Sequence, residues 1–208
     1  MIIMAGLMEY EKAQSLLAKY GIKTAESAYV ANADAAIKFA KGDPIVLKAI
    51  SPKALHKSHA GLIKLNLWTP EQVKTAYADL SSKAAKFKPY KIQVQRMITG
   101  SMEIIIGGKT DAQFGKMVLL GLGGIYVETF KDFALRACPL EKYDAQSMLD
   151  QLKSKPIIAP DANSEELITS LLLKVSKMFE SSKAAELDLN PIILHNGTYH
   201  AVDLRIIE

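Results

Sequence analysis

Near the C-terminus, Glu186-Leu187-Asp188-Leu189-Asn190 alternates polar with apolar side chains, so a strand there carries three oxygen-bearing groups on one face. Just beyond it, His195-Asn196-Gly197-Thr198 contains Asn-Gly, the strongest two-residue hairpin signal. A turn at that dipeptide pairs His195 with Thr198, and the same register places Asn190 opposite Asp203. Opposed side chains in an antiparallel pair stand about 5 Å apart at Cβ, within reach of one hard cation. Magnesium takes one or two protein oxygens when phosphates and water complete its octahedron, so Asn190 and Asp203 form a candidate magnesium site. The competing reading is a solvated hairpin face with Asp188 and Arg205 as a cross-strand ion pair. Pro191 adds a second source of irregularity, because it lacks a ladder donor and can shift the register.

A second group of residues suits phosphate. Lys48 lies in the apolar run Pro44–Ile50 and shares a strand face with Val46 and Ile50, where a buried ammonium needs an anionic partner. A nucleotide phosphate meets that need, and an edge-strand lysine facing water is the alternative. The following loop, Ser51–Leu62, holds His56, Lys57, Ser58, His59 and Gly61 between two strands, where backbone amides can fold over phosphates. His56 is a competent nucleophile as neutral imidazole, with Lys57 beside it to offset phosphate charge; the plainer reading is a surface histidine. Val94-Gln95-Arg96-Met97 can form a hinge that reads an adenine edge through backbone bonds, and Glu103 supplies a carboxylate for a ribose or a metal. Gly121-Leu122-Gly123-Gly124, followed by Glu128, is either a mobile loop at the site or a set of plain turns. No segment has Walker A or Rossmann spacing.

These groups need scaffolding, and the sequence predicts it as alternating β and α elements. A helix over Glu9–Tyr20 stops at Gly21, and a strand at Ser27–Val30 and a helix at Ala33–Ala40 precede the Lys48 strand. Another strand follows at Gly61–Leu67. Thr69-Pro70-Glu71-Gln72 is a capping box with proline at N1, opening a helix that runs to about Lys86. Short β-type runs come next at Ile92–Ile98, Met102–Gly108, Met117–Gly121 and Phe133–Ala137. Helices are expected at Glu141–Leu152 and at Ser164–Phe179, with Ser164 as N-cap, and Lys153–Asn163 reads as a linker.

With 208 residues and 49% hydrophobic composition the chain can bury a substantial core. Its net charge of +4 is spread along the sequence without a concentrated basic element, which argues against nucleic acid and suits small anions. One cysteine, Cys138, excludes an intrachain disulfide and fits a reducing cytoplasm. The apolar start MIIMAGLM has no basic leader and is too short to span a bilayer, so a cytoplasmic location away from membrane is expected.

In order along the chain, Pro44-Ile45-Val46-Leu47-Lys48, Leu55-His56-Lys57-Ser58 before Gly61, Asp111-Ala112-Gln113-Phe114-Gly115, Gly121 to Glu128, Glu186 to Pro191 and Ala201-Val202-Asp203 carry a resemblance over nearly the full length. The sequence resembles the ATP-grasp β subunit of NDP-forming acyl-CoA synthetases, of the ADP-forming acetyl-CoA synthetase type, and more distantly that of succinyl-CoA synthetase. The resemblance implies an α+β ATP-grasp fold whose two subdomains grip the nucleotide. Residues 1–208 would form one such domain, with an inner subdomain of about 22–89 inserted between 1–21 and 90–208. It implies Lys48 on the phosphates, Lys57 and Gly61 in the loop beside them, Gln95 and Met97 near adenine with Glu103 close by, and Asn190 and Asp203 as magnesium ligands. His56 matches the histidine thought to relay a phosphoryl group to NDP. The implied reaction is acyl-CoA, NDP and phosphate to acid, CoA and NTP, reversibly, with Mg2+ and ATP/ADP or GTP/GDP. An α subunit would supply the CoA-binding and acyl sites, in an α2β2 assembly. Two positions depart from the pattern: His59 stands where the family has Asp or Glu and competes with His56 as acceptor, and Leu62 replaces the second glycine of a Gly-Gly pair. The alternatives are an ATP-grasp carboxylate–amine ligase and a non-catalytic nucleotide-binding regulatory subunit.

Overall fold

A computed structural model of the chain describes residues 6–53, 61–100, 102–123 and 132–208. The chain divides into two units, one containing Ala25–Met97 and the other Gly6–Thr24 with Ile98–Glu208. Helix α1 (Tyr10–Lys19) opens the described part and belongs to the second unit.

In the first unit, β1 (Ser27–Val30), β2 (Ile45–Ile50), β3 (Ile63–Leu67) and β4 (Lys91–Arg96) form an antiparallel sheet in the order β1-β4-β2-β3. Helix α2 (Ala33–Ala40) starts where Asn32 accepts the Ala35 amide at 2.9 Å. Helix α3 (Pro70–Ala84) starts at the expected capping box, in which Thr69 Oγ1 accepts the Gln72 amide and Gln72 Oε1 accepts the Thr69 amide. Val73, Ala76, Leu80 and Ala84 recur along α3 at helical spacing and pack into one core with Ile45, Leu47 and Ala49 of β2 and Ile92 and Val94 of β4. The helices therefore cover one face of the sheet. The other face is set by the alternate residues, and it is the polar one. Leu62, where the resemblance has a glycine, is fully buried in this same core, so its side chain does structural work that glycine cannot.

The second unit is built on β5 (Met102–Asp111), β6 (Gly115–Leu122), β7 (Phe133–Ala137), β8 (Glu186–His195), β9 (Thr198–Ala201) and β10 (Leu204–Ile207), in the order β10-β8-β5-β6-β7 with β9 paired to β8. Helices α4 (Lys142–Asp150), the single-turn α5 (Lys155–Ile158) and α6 (Ala162–Ser181) accompany it. Ile104 and Ile106 of β5, Val118 and Leu120 of β6, and Leu187 and Leu189 of β8 are buried on one face, together with Leu171, Val175 and Phe179 of α6. A Cβ at Gly108 would come within 3.0 Å of the Phe179 ring, so glycine is what lets helix and sheet approach there. Lys116 closes α6 at this same C-terminal end, donating to the carbonyls of Phe179, Glu180 and Ser182.

Two expectations are corrected here. Asp161, not Ser164, is the N-cap of α6: its carboxylate accepts the Ser164 amide at 2.8 Å, and Ser164 is the third-position member of the box, returning a bond to the Asp161 amide. The stretch read as a linker, Lys153–Asn163, contains α5 and the first residues of α6 instead, because Asp132 accepts the Lys153 and Ser154 amides just ahead of that turn. Among the described residues, no helix is long and apolar enough to cross a membrane.

Candidate functional site

In the first unit, Lys48 is 5% exposed at the middle of β2, and its Cα partner on β4 is Gln93. Val46 is opposite Gln95, which is in turn opposite Ser27 of β1. Directly opposed residues project from the same face, so Lys48, Gln93, Gln95 and Ser27 share the face away from α2 and α3. Gln93 and Gln95 are each 1% exposed. A long-stemmed cation and two amides thus lie buried together, an environment suited to fixing an anionic, hydrogen-bonding ligand. Lys91 extends the row, its ammonium 4.7 Å from the centre of the Tyr29 ring.

The end of β4 is tightly held. Arg96 donates to Ala40 O at 2.8 Å, pairs with Asp43 at 3.0 Å and Glu26 at 3.4 Å, and lies over the Phe39 ring. Met97 donates its amide to Pro44 O at 3.0 Å, so the backbone group it can present to an adenine edge is its carbonyl. Gly61 adopts φ +65°, and a Cβ built there would meet the Lys83 side chain of α3 at 3.6 Å. His56, His59 and Lys57 lie outside the described residues, as do Gly124 and Glu128 of the glycine-rich segment.

In the second unit, the hairpin runs in the register that the Asn-Gly turn predicts. His195 pairs with Thr198, Ile192 with Ala201, Leu189 with Leu204 and Asp188 with Arg205. Asn196 and Gly197 both have positive φ, 45° and 69°, as a two-residue turn of this kind requires. Between the paired segments, the Asn190 amide donates to Asp203 O at 3.2 Å, and the Val202 amide to Pro191 O at 3.1 Å. Pro191 therefore leaves the hairpin register intact. Because Asn190 directs its amide at Asp203, the donor that Pro191 lacks would have faced β5, and the register shift lies on that side, between Ile104 and Ile106.

Asn190 and Asp203 are both half-buried, as are Glu186 and Asp188, while the intervening Leu187 and Leu189 are buried. One carboxylate oxygen of Asp203 accepts the Leu204 amide at 3.0 Å, which restricts how the group can turn. An amide oxygen on β8 and a carboxylate in the bend between β9 and β10, opposite it, fit a magnesium ion that takes its other ligands from phosphate and water. Among the described residues, no group of three or more His, Cys, Asp or Glu is arranged to hold a metal by itself. Arg205 pairs with Glu186 at 3.5 Å and stands directly opposite Asp188 in the hairpin.

Glu103 lies on β5 opposite Ile193, and its carbonyl accepts the Gly123 amide at 2.8 Å. A Cβ at Gly123 would fall 2.8 Å from Glu103 C, so the start of the glycine-rich segment runs hard against the Glu103 backbone. The open face of this sheet forms a groove of about 420 Å3, lined by Ile105, Leu119, Leu135, Asp188 and Arg205 among others.

The sequence reading passed over Gln93. The signal was present in Lys91-Ile92-Gln93-Val94-Gln95, where the strand alternation that exposes Gln95 to the site places Gln93 on the same face.

The ATP-grasp domain family matches residues 5–207 of the chain. The subunit beta of acetate–CoA ligase [ADP-forming] II from Pyrococcus furiosus is 36% identical over 215 residues, covering 97% of this chain and 91% of that protein. A structure of the dinucleotide-forming acetyl-coenzyme A synthetase 1 of Ca. Korarchaeum cryptofilum with coenzyme A and Ca-AMPCP superposes with a TM-score of 0.89 at 32% identity, covering 97% of this chain and 93% of that one. Another structure of that enzyme holds coenzyme A and Mg-AMPPCP, with its phosphohistidine segment pointing towards the nucleotide binding site. It superposes with a TM-score of 0.82 at 32% identity over 97% of this chain and 92% of that one.

Proposed function

The chain belongs to the ATP-grasp family of ADP-forming acetate–CoA ligase β subunits, and from that premise we propose that it binds Mg-NDP and transfers a phosphoryl group to it from a histidine. The whole chain acts as one ATP-grasp domain, with the unit around β2 and β4 as its inner subdomain. It works in the cytoplasm beside an α subunit that carries the CoA-binding and acyl sites, in an α2β2 assembly.

In this reading, phosphate displaces CoA from acyl-CoA to give an acyl phosphate, and a histidine of the α subunit takes the phosphoryl group as the carboxylate leaves. His56 then receives it, with Lys57 and Gly61 in the same loop, and the terminal NDP oxygen attacks phosphorus, breaking the P–N bond to give NTP. Lys48 holds the phosphates as a positive charge on a rigid strand, and a buried ammonium exerts more force on an anion than one in water. Gln95 and the Met97 carbonyl orient the adenine, and Glu103 lies close by. Magnesium, when bound, neutralises phosphate charge; Asn190 and Asp203 would hold it.

The observation that carries this reading is the burial of Lys48 to 5% exposure on a sheet face shared with two buried glutamine amides. A carboxylate–amine ligase needs no histidine acceptor, and a regulatory subunit transfers nothing, so one experiment separates the relay from both. The chain is mixed with its α partner, acetyl-CoA, magnesium and radiolabelled phosphate without nucleotide. Acid-labile, base-stable label is expected on this chain and is expected to disappear in His56→Ala. Label confined to the partner would end the relay assignment for His56.

A further inference from the structure

At the centre of β4, Gln93 donates from Nε2 to Ser27 Oγ at 3.4 Å, a long contact, while its Oε1 is buried with no hydrogen-bond partner among the described residues. Exchanging the two ends of the amide does not relieve this. The Ser27 hydroxyl can satisfy one end only, and the other stays unmet. Position 93 is itself buried at 1% exposure, so an apolar residue there would leave no orphaned polar atom. A buried polar atom without a partner is informative when a ligand can supply one.

Register shows which ligand that is. Gln93 is directly opposite Lys48 on β2, and two residues further along the same face stands Gln95. Opposed Cβ atoms lie about 5 Å apart, so a glutamine amide reaches alongside the lysine stem, and a lysine bent slightly towards it comes within hydrogen-bond range. An ammonium has three donors, enough for one amide oxygen and two phosphate oxygens together.

We propose that Gln93 is a positioning residue for nucleotide binding: its Oε1 accepts a hydrogen bond from the Lys48 ammonium while that ammonium contacts the phosphates. The amide suits this task because it is neutral. It orients the charge without cancelling it, whereas a carboxylate at the same place would hold the lysine as an ion pair and compete with phosphate. The inference rests on the assignment of Lys48 to the nucleotide phosphates.

The test is a calorimetric titration of the full chain with Mg-ADP, alongside thermal unfolding and steady-state kinetics with the α partner, for the unmodified chain, Gln93→Met and Gln93→Glu. Gln93→Met should unfold at the same or a higher temperature, bind Mg-ADP about 3- to 10-fold more weakly and raise KM for ADP with kcat nearly unchanged, as loss of one net hydrogen bond implies. Gln93→Glu should bind more weakly than Gln93→Met. Equal affinity of the unmodified chain and Gln93→Met would overturn the proposal. Gln93→Leu stands in if Gln93→Met does not fold. If the unmodified chain binds no Mg-ADP, the nucleotide reading itself fails, which is a different outcome from tight binding that Gln93 does not affect.

Discussion

The two sheets present their polar groups in opposite ways. In the four-stranded sheet, Lys48, Gln93 and Gln95 are buried to 5% or less. In the six-stranded sheet, Glu186, Asp188, Asn190 and Asp203 are half-buried and keep a path to solvent. The difference matches the chemistry each is given. A lysine or amide that grips a ligand directly gains strength from low dielectric, whereas oxygens that share a hydrated divalent ion must leave room for its water. On the roles proposed above, burial in the first sheet would favour affinity and partial exposure in the second would favour metal exchange.

Substitutions on the two sides sharpen that contrast. Asp203→Ala removes the charged half of the proposed magnesium pair and should lower NDP-dependent turnover by about 100- to 1000-fold, the usual cost of one electrostatic group in phosphoryl or acyl transfer. The loss should be eased by raising magnesium, which a turnover assay at graded Mg2+ measures; a loss indifferent to magnesium breaks the metal side of the comparison. Lys48→Met should weaken Mg-ADP binding by about 30-fold, near 2 kcal/mol for a desolvated charge contact. Melting should move by no more than a few degrees, because the methionine can stay buried. Calorimetry and thermal unfolding on one sample decide it, and a collapse in stability with affinity retained would make Lys48 a structural residue.

Smaller effects probe the second unit. Gly197→Val forces a β-branched residue to φ 69° and should cost about 1–2 kcal/mol in urea unfolding, with magnesium affinity falling alongside. Asp132 gives a pH test. Burial alone would raise its pKa, but the Ser154 and Lys153 amides outweigh that and hold the carboxyl below the usual carboxylate range. A depressed carboxylate contributes its stability above the unfolded pKa and loses it as pH falls through the folded value. The stability gap between the unmodified chain and Asp132→Asn, about 1 kcal/mol near neutrality, should therefore narrow below about pH 4. Urea unfolding at pH 7 and pH 3 measures it.

Local rules explain what was readable beforehand. The Asn196-Gly197 turn, the Thr69 box and the alternation through Lys48 each act within a few residues, and each determines structure over that range. Asp161 escaped because Ser164 is an equally good cap by type, and only the backbone shows which of the two sits outside the helix. Asp132 escaped because its partners are more than twenty residues away, beyond any pattern rule. Pro191 was legible as a disturbance but not its direction, which depends on which neighbour its missing donor would have faced.

The hairpin ending in Asn196-Gly197 behaves as a ruler. Every pair from His195 and Thr198 down to Glu186 and Ile207 is counted from its tip without a slip. A single residue added at the tip would give Asn190 a different neighbour and turn one arm over, swapping oxygens for leucines on the working face. The spacing of the two proposed oxygen ligands is thus written into a loop six residues away that touches neither, so that a change in loop length, rather than in chemistry, is the shortest mutational route to separating them.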